Sequence, residues 1–204
     1  MRSGVKAGHV AARPSGCRAI IVAVRRVNVI GGSGSGKTTV GRLLAARLGV
    51  PFVEIDQLHW DRYPGWTLPP LEEFRLRVDE ATRGDRWVID GSYGKVRDIV
   101  WPRADTVIWL DVPFAPRLGR VLRRTFKRVW TREPLWGIQR ESLRATLFSR
   151  DSLLLFMIRT EPGRARLYRD WLARPESAHL DLVRLRSQAE IQRWLSQVGA
   201  REHP

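Results

Sequence analysis

The sequence predicts an α/β protein, a parallel β-sheet covered by helices on both faces. Three observations point there. Short apolar segments alternate along the chain with stretches of helical spacing. Those apolar segments are too short to be half-exposed, which implies a sheet covered on both faces. The first of them runs straight into a glycine-rich loop and then a helical stretch.

The elements follow in order. Residues 24–30 read as a buried strand, and 38–48 as a helix that Gly49 ends in the C-terminal position glycine favours. Residues 50–55 are a second short strand, and 56–70 a polar, aromatic stretch rich in turn formers. Helical spacing resumes over 71–81. A third strand, 87–89, stops at Asp90-Gly91, and a fourth, 106–110, ends at Asp111 before Pro113. A strongly basic helix covers 117–129, a last strand 181–185, and an amphipathic helix 189–198 closes the pattern. Trp171, Trp194 and the apolar run 153–158 read as core faces of helices.

The chain has 204 residues and 43% hydrophobic content, enough for one good core. No internal repeat, low-complexity tract or apolar run of membrane-spanning length interrupts it, so no membrane partner is expected. Cys17 is the only cysteine, which excludes a disulfide framework and a cysteine zinc site and fits a cytoplasmic location. Residues 1–24 carry basic charge without acid, and the first acidic residue is Glu54. They read as a disordered extension or a start assigned too early, leaving 25–204 as the domain, a monomer or homodimer. The net charge of +15 draws such a chain to polyanions. Lysine occurs only at 6, 37, 95 and 127, and Lys37 stands where one motif demands it.

That motif is Gly31-Gly32-Ser33-Gly34-Ser35-Gly36-Lys37-Thr38, which fits G-x-x-x-x-G-K-[ST] at every fixed position. Glycines let successive backbone N–H groups surround phosphate oxygens, where side chains would intrude. The helix that follows, with Thr39 in its first turn, turns its positive end toward the same anion. Lys37 reaches the β- and γ-phosphates of ATP, and the Thr38 hydroxyl is placed to ligate Mg²⁺. Strand before and helix after make this signal strong.

A P-loop enzyme also needs a carboxylate near the metal, at the end of a strand. Asp90 and Asp111 both qualify by position. Gly91 permits close approach beside Asp90 and favours it for the metal side, whereas Asp111 reads equally well as a turn cap. Between strand two and the next helix lie Asp56, His59, Trp60, Arg62, Tyr63 and Trp66, at the strand ends where this architecture receives an acceptor. Asp56 is positioned to take the proton of an acceptor hydroxyl; capping a turn is the equal alternative. Residues 117–150 hold ten basic residues against Glu133 and Glu141, a net +8 of the +15. Arg120 and Arg124 share a helix face, which Arg117 extends. Arginines closing over a transferred phosphoryl group stabilise its charge. Most of the ten equally suit a solvated basic face. Trp130, Trp136 and Phe148 among them also suit single-stranded nucleic acid, although no recognised binding module accompanies them.

The order of P-loop, strand ending in Asp-Gly, strand ending in Leu110-Asp111-Val112-Pro113 and Arg120-x-x-x-Arg124 resembles the adenylate kinase group of P-loop kinases. From Arg25 to about Leu195 the chain is most similar to small bacterial adenylate kinase-like proteins described as DNA topology modulation proteins. Leu58-His59-Trp60, Pro64-Gly65-Trp66, Trp87 to Tyr93 and Val183 to Ser187 carry that similarity. The resemblance implies a five-stranded parallel sheet, ATP as donor, Asp90 on the Mg²⁺ side and a mobile arginine lid. It further implies Arg120 along the adenine, Arg124 on the phosphates, and a loop at Arg186 wrapping the base. Adenylate kinases follow Asp-Gly with Phe-Pro-Arg; here Ser92 to Arg97 stands instead, with Lys95 or Arg97 as substitutes at a different spacing.

The expectation is therefore a Mg²⁺/ATP-dependent kinase for a nucleotide or small metabolite. A nucleic-acid-associated NTPase and a nucleotide-binding regulator are the alternatives. No Asn-Lys-x-Asp guanine motif and no ABC-type Ser-Gly-Gly signature occurs.

Overall fold

The computed structural model describes residues 25–131, 134–139 and 152–198. The N-terminal extension, Arg132, Glu133, Arg140, Glu141, Arg144, Phe148 and Arg150 lie outside the described residues. Five parallel strands form one sheet: β1 (Arg26–Gly31), β2 (Phe52–Glu54), β3 (Trp87–Asp90), β4 (Thr106–Leu110) and β5 (Asp181–Leu185). Their order across the sheet is β2-β3-β1-β4-β5, so β1 is central, flanked by β3 and β4.

The helices are α1 (Lys37–Leu48), α2 (Ile55–Trp60), α3 (Leu71–Ala81), α4 (Arg97–Val100), α5 (Phe114–Thr131), α6 (Leu153–Leu172) and α7 (Gln188–Gln197). Successive strand residues point to opposite faces, and each face has its own core. Val27 and Val29 of β1, with Ile108 and Leu110 of β4, pack against Leu44 of α1 and Ile191 and Leu195 of α7. Ile30, Val107 and Trp109 face the other way, toward Phe74 and Val78 of α3 and Tyr168 of α6. Burial of both faces suits the mostly apolar strands β1, β3 and β4.

A buried polar residue interrupts β1. Asn28 in β1 is buried, and its amide donates to the carbonyls of Ile89 (3.3 Å) and Gly91 (3.2 Å) while accepting from Trp101 Nε1 (2.9 Å). It thereby holds the chain on either side of Asp90. Gly91 has φ +135°, and a Cβ there would lie 2.9 Å from Ile55 Cβ, so the close approach is to protein side chains.

Three expectations need correction. The turn-rich stretch after β2 begins with a helix, α2, too short for its periodicity to stand out. The apolar run 153–158 is not a core face throughout: Met157 is buried, but Phe156 and Ile158 are about half exposed, at 53% and 50%. Six consecutive helical residues span more than a full turn, so they cannot all face one way. Arg117 does not extend the exposed Arg120 face; it is buried in line with Val121 and Thr125, four and eight residues on. Trp194 is buried and Trp171 packs against the second core, as expected.

Candidate active site

The loop after β1 meets α1 at Gly36, whose left-handed conformation (φ 98°) turns the chain into the helix. No side chain caps this N-terminus, and its first turn carries no acid. Its orphan N–H groups and positive dipole end are thus left for an anion. The start of the loop is tied down, because the Gly31 N–H donates to Ser92 Oγ at 3.2 Å. Ser35 is buried, Ser33, Gly34, Lys37 and Thr38 are half-buried, and Thr39 points outward.

Thr38 Oγ1 donates to Asp90 Oδ2 across 2.6 Å. Asp90 ends β3 and is almost fully buried, at 2% exposure. Burial pushes its carboxyl up to about 6, although the Lys37 charge and the Thr38 hydrogen bond act against that. A hydroxyl and a carboxylate oxygen beside a phosphate loop are hard ligands that fit Mg²⁺, which takes one or two protein oxygens and completes its shell with phosphates and water. No group of three or more His, Cys, Asp or Glu suited to a metal occurs among the described residues. Asp111 is engaged elsewhere, accepting from Arg184 Nε at 2.9 Å.

Asp56 lies in the first turn of α2 and accepts from the Tyr93 hydroxyl at 2.7 Å. Burial, reinforced by the Asp56 charge, raises the Tyr93 pKa far above its ordinary value, so it remains a donor. The His59 ring stacks on Tyr93 at 5.1 Å and meets Phe74 and Trp60 edge-on at 4.4 and 4.7 Å. Burial lowers the His59 pKa, and its Nδ1 has no hydrogen-bond partner. Trp66 packs edge-on against Trp60 (5.5 Å) and Trp136 (6.3 Å). Gln139, beyond α5, is buried here: it donates to the carbonyls of Trp60 (2.7 Å) and Tyr63 (2.6 Å) and accepts from the Trp66 N–H (3.0 Å). The chain after α5 is thus joined to the segment around Asp56.

Lys95 is exposed, and its charge reaches His59. Arg97 is not brought to this group. Its guanidinium lies over the rings of Trp171 (4.8 Å) and Trp101 (5.5 Å), with Glu176 at 3.6 Å. Arg120 reaches back from α5 to the Gly34 carbonyl (3.4 Å) and to Gln188 Oε1 (3.2 Å), bridging the loop and the start of α7. Arg124 follows one turn later and is exposed. Arg186 is exposed too, and its backbone N–H donates to Glu190.

Sequence reasoning missed Asn28, Glu161, Arg164 and Gln139. A charged pair at positions 161 and 164, inside the helical stripe that runs from Met157 to Tyr168, was the available signal for two of them.

The strand order, the loop after the central strand and the helix behind it define the P-loop kinase fold. The sequence pattern of the shikimate kinase family matches residues 33–64. A shikimate kinase of Symbiobacterium thermophilum is 42% identical over 98 residues, 41% of this chain and 55% of that protein. A shikimate kinase of Persephonella marina is 56% identical over 104 residues, 44% and 63% of the two chains. An uncharacterized Bacillus subtilis protein, YqaC, is 28% identical over 105 residues, 51% and 58% of the two chains. The chain thus spans little more than half the length of the first curated relatives it matches. Among solved structures, shikimate kinase from Acinetobacter baumannii in complex with shikimate superposes with TM-score 0.52 at 20% identity, covering 85% of this chain and 90% of that one. The Bacteroides thetaiotaomicron enzyme gives 0.50 at 19% identity, covering 86% and 96%. These likenesses support a P-loop kinase; they do not carry the finer resemblance to adenylate kinases or DNA topology modulation proteins.

Proposed function

We propose that this chain is a Mg²⁺/ATP-dependent kinase that transfers the γ-phosphate to a hydroxyl of a small metabolite. The observation that carries the reading is the hydrogen bond from Thr38 to Asp90 at the mouth of the phosphate loop. In this reading Thr38 and Asp90 would hold Mg²⁺ beside Lys37. Lys37 and the loop N–H groups hold the phosphates, and bound Mg²⁺ neutralises their charge. Arg120 and Arg124 cover the nucleotide from α5. Asp56, oriented by Tyr93, takes the proton of the acceptor hydroxyl as the new P–O bond forms and the bond to ADP breaks. Trp60, Trp66 and His59 form the acceptor wall, with Lys95 at its edge. The shikimate kinase match over 33–64 includes Asp56, His59 and Trp60, so shikimate is the first acceptor to test.

The experiment is ADP release with Mg²⁺-ATP across shikimate, other hydroxylated metabolites and nucleoside monophosphates, beside Lys37→Ala. Turnover with one acceptor, lost in the variant, supports the reading; no acceptor-stimulated release rejects it. A second reading, a nucleic-acid-associated NTPase, draws on α5, where Phe126 (54% exposed) and Trp130 (90% exposed) stand beside exposed Arg123 and Lys127. Stimulation of ADP release by single-stranded DNA, and by no metabolite, would favour it.

A further inference from the structure

Arg117 is buried on the inward stripe of α5 with Val121 and Thr125, at 2% exposure. On α6, Glu161 and Arg164 lie between the buried residues Met157 and Tyr168 at helical spacing. The two helices therefore bring two arginines and a glutamate against the phosphate loop. A Cβ on Gly32 would lie 1.9 Å from Arg117 Nη1 and 2.2 Å from Arg164 Nη1, so both guanidiniums touch backbone that only glycine leaves open.

The bonding is incomplete. Arg117 Nε donates to the Val112 carbonyl at 2.8 Å, and its Nη2 pairs with Glu161. Arg164 Nη1 meets the same Glu161 oxygen at 3.0 Å. Arg117 Nη1 is buried without a hydrogen-bond partner. Burial above all, with the Arg117 charge adding to it, lowers the Arg164 pKa. Two cations share one carboxylate, in a cavity that Gly32, Asp111 and Val112 also line.

Such an arrangement is short of one anion. Guanidinium binds carboxylate and phosphoryl oxygens through the same planar fork. A buried donor without a partner is costly, and adjacent cations are stabilised by an added anion. Gly32 belongs to the cradle for the terminal phosphates, so the anion that arrives there is the end of a triphosphate. We infer that Arg117 is a ligand of the transferred phosphoryl group, and that Glu161 holds that group's place between the two arginines until a triphosphate enters. This rests on the kinase reading. Glu161 is 31% exposed in its side chain, which gives it an outlet to solvent when the phosphoryl oxygens take over its partners.

The test is equilibrium binding to the full chain, read by tryptophan fluorescence, of ADP and a non-hydrolysable ATP analogue, both with Mg²⁺. Arg117→Lys keeps the charge and removes the fork. It is expected to reduce the preference for triphosphate over diphosphate roughly ten- to a hundredfold, with ADP affinity unchanged. Glu161→Gln is expected to tighten triphosphate binding several-fold, because the internal competitor has lost its charge. If Arg117→Lys weakens both nucleotides equally, or Glu161→Gln weakens the triphosphate, the cluster merely pins α5 to α6 and the inference falls. Should Arg117→Lys fail to fold, Glu161→Gln decides alone. None of these readouts needs an acceptor. Absence of turnover alongside the expected binding pattern therefore rejects the kinase reading and not the ligand assignment; a wild-type chain that binds neither nucleotide rejects both.

Discussion

The Thr38 hydroxyl donates to Asp90 Oδ2 across 2.6 Å, joining the first turn of α1 to the end of β3. The two residues are far apart in sequence, and parallel pairing of β1 with β3 brings them together. The bond joins two groups that bound Mg²⁺ would share.

Thr38→Ala should lower kcat/KM for Mg²⁺-ATP roughly ten- to a hundredfold, the cost of one charge-assisted contact. Titrating Mg²⁺ at fixed nucleotide checks it. The variant should need more Mg²⁺ for half-maximal turnover, and an unchanged Mg²⁺ dependence would remove Thr38 from the metal.

Asp90 predicts a pH effect with a definite sign. Its folded pKa of about 6 lies above the reference 3.8, so the native state binds more protons between those values. The stability contribution of Asp90 is greatest below about pH 4 and is lost as pH rises toward 6, by about 3 kcal/mol. Denaturant melts of wild type and Asp90→Asn should therefore diverge across that window, the variant gaining as pH rises. Mg²⁺-nucleotide affinity should move oppositely, strengthening through about pH 6 as the carboxylate ionises. Parallel stability curves would contradict the assignment.

Gly91→Ala should destabilise the fold by roughly 2–4 kcal/mol, from a strained φ and contact with Ile55. Thermal denaturation measures this directly. Because Gly91 adjoins Asp90, nucleotide binding should weaken with it.

Asp56→Asn should reduce kcat by roughly 10²–10⁴-fold, the range for a lost general base, with nucleotide affinity little altered. Tyr93→Phe should show a smaller loss of the same kind, because it removes only the donor at 2.7 Å. Steady-state kinetics with the identified acceptor, beside nucleotide binding, separates these effects. A loss confined to ATP affinity would place Asp56 on the donor side.

Much of this architecture is legible in the residues. Thr106–Leu110 reads as a strand because it is a nearly continuous apolar run of strand length, and Asp181–Leu185 through Leu182, Val183 and Leu185; the structure places strands at both. Gly31 to Thr38 identifies its loop through a pattern whose fixed residues are set by backbone geometry at the glycines and by phosphate and metal chemistry at Lys37 and Thr38. The helix over 55–60 escaped notice because six residues hardly exceed one helical period. Asn28 looked like an ordinary strand position, since its three partners come from three distant segments. The same applies to Gln139, whose amide meets the Trp60 carbonyl only after folding.

By itself, the sequence determined the alternating strands and helices, the phosphate loop and the two strand-end aspartates, because periodicity and glycine geometry are local properties. The sequence already favoured Asp90 over Asp111 for the metal side; tertiary structure supplied their partners, Thr38 for Asp90 and Arg184 for Asp111. It also chose among the arginines. Arg117 and Arg120 are three residues apart on one helix, yet one faces the core beside Gly32 and the other lies across the loop's outer edge. A helix gives each residue a direction; what that direction meets depends on which elements pack against it, and only the folded chain supplies that.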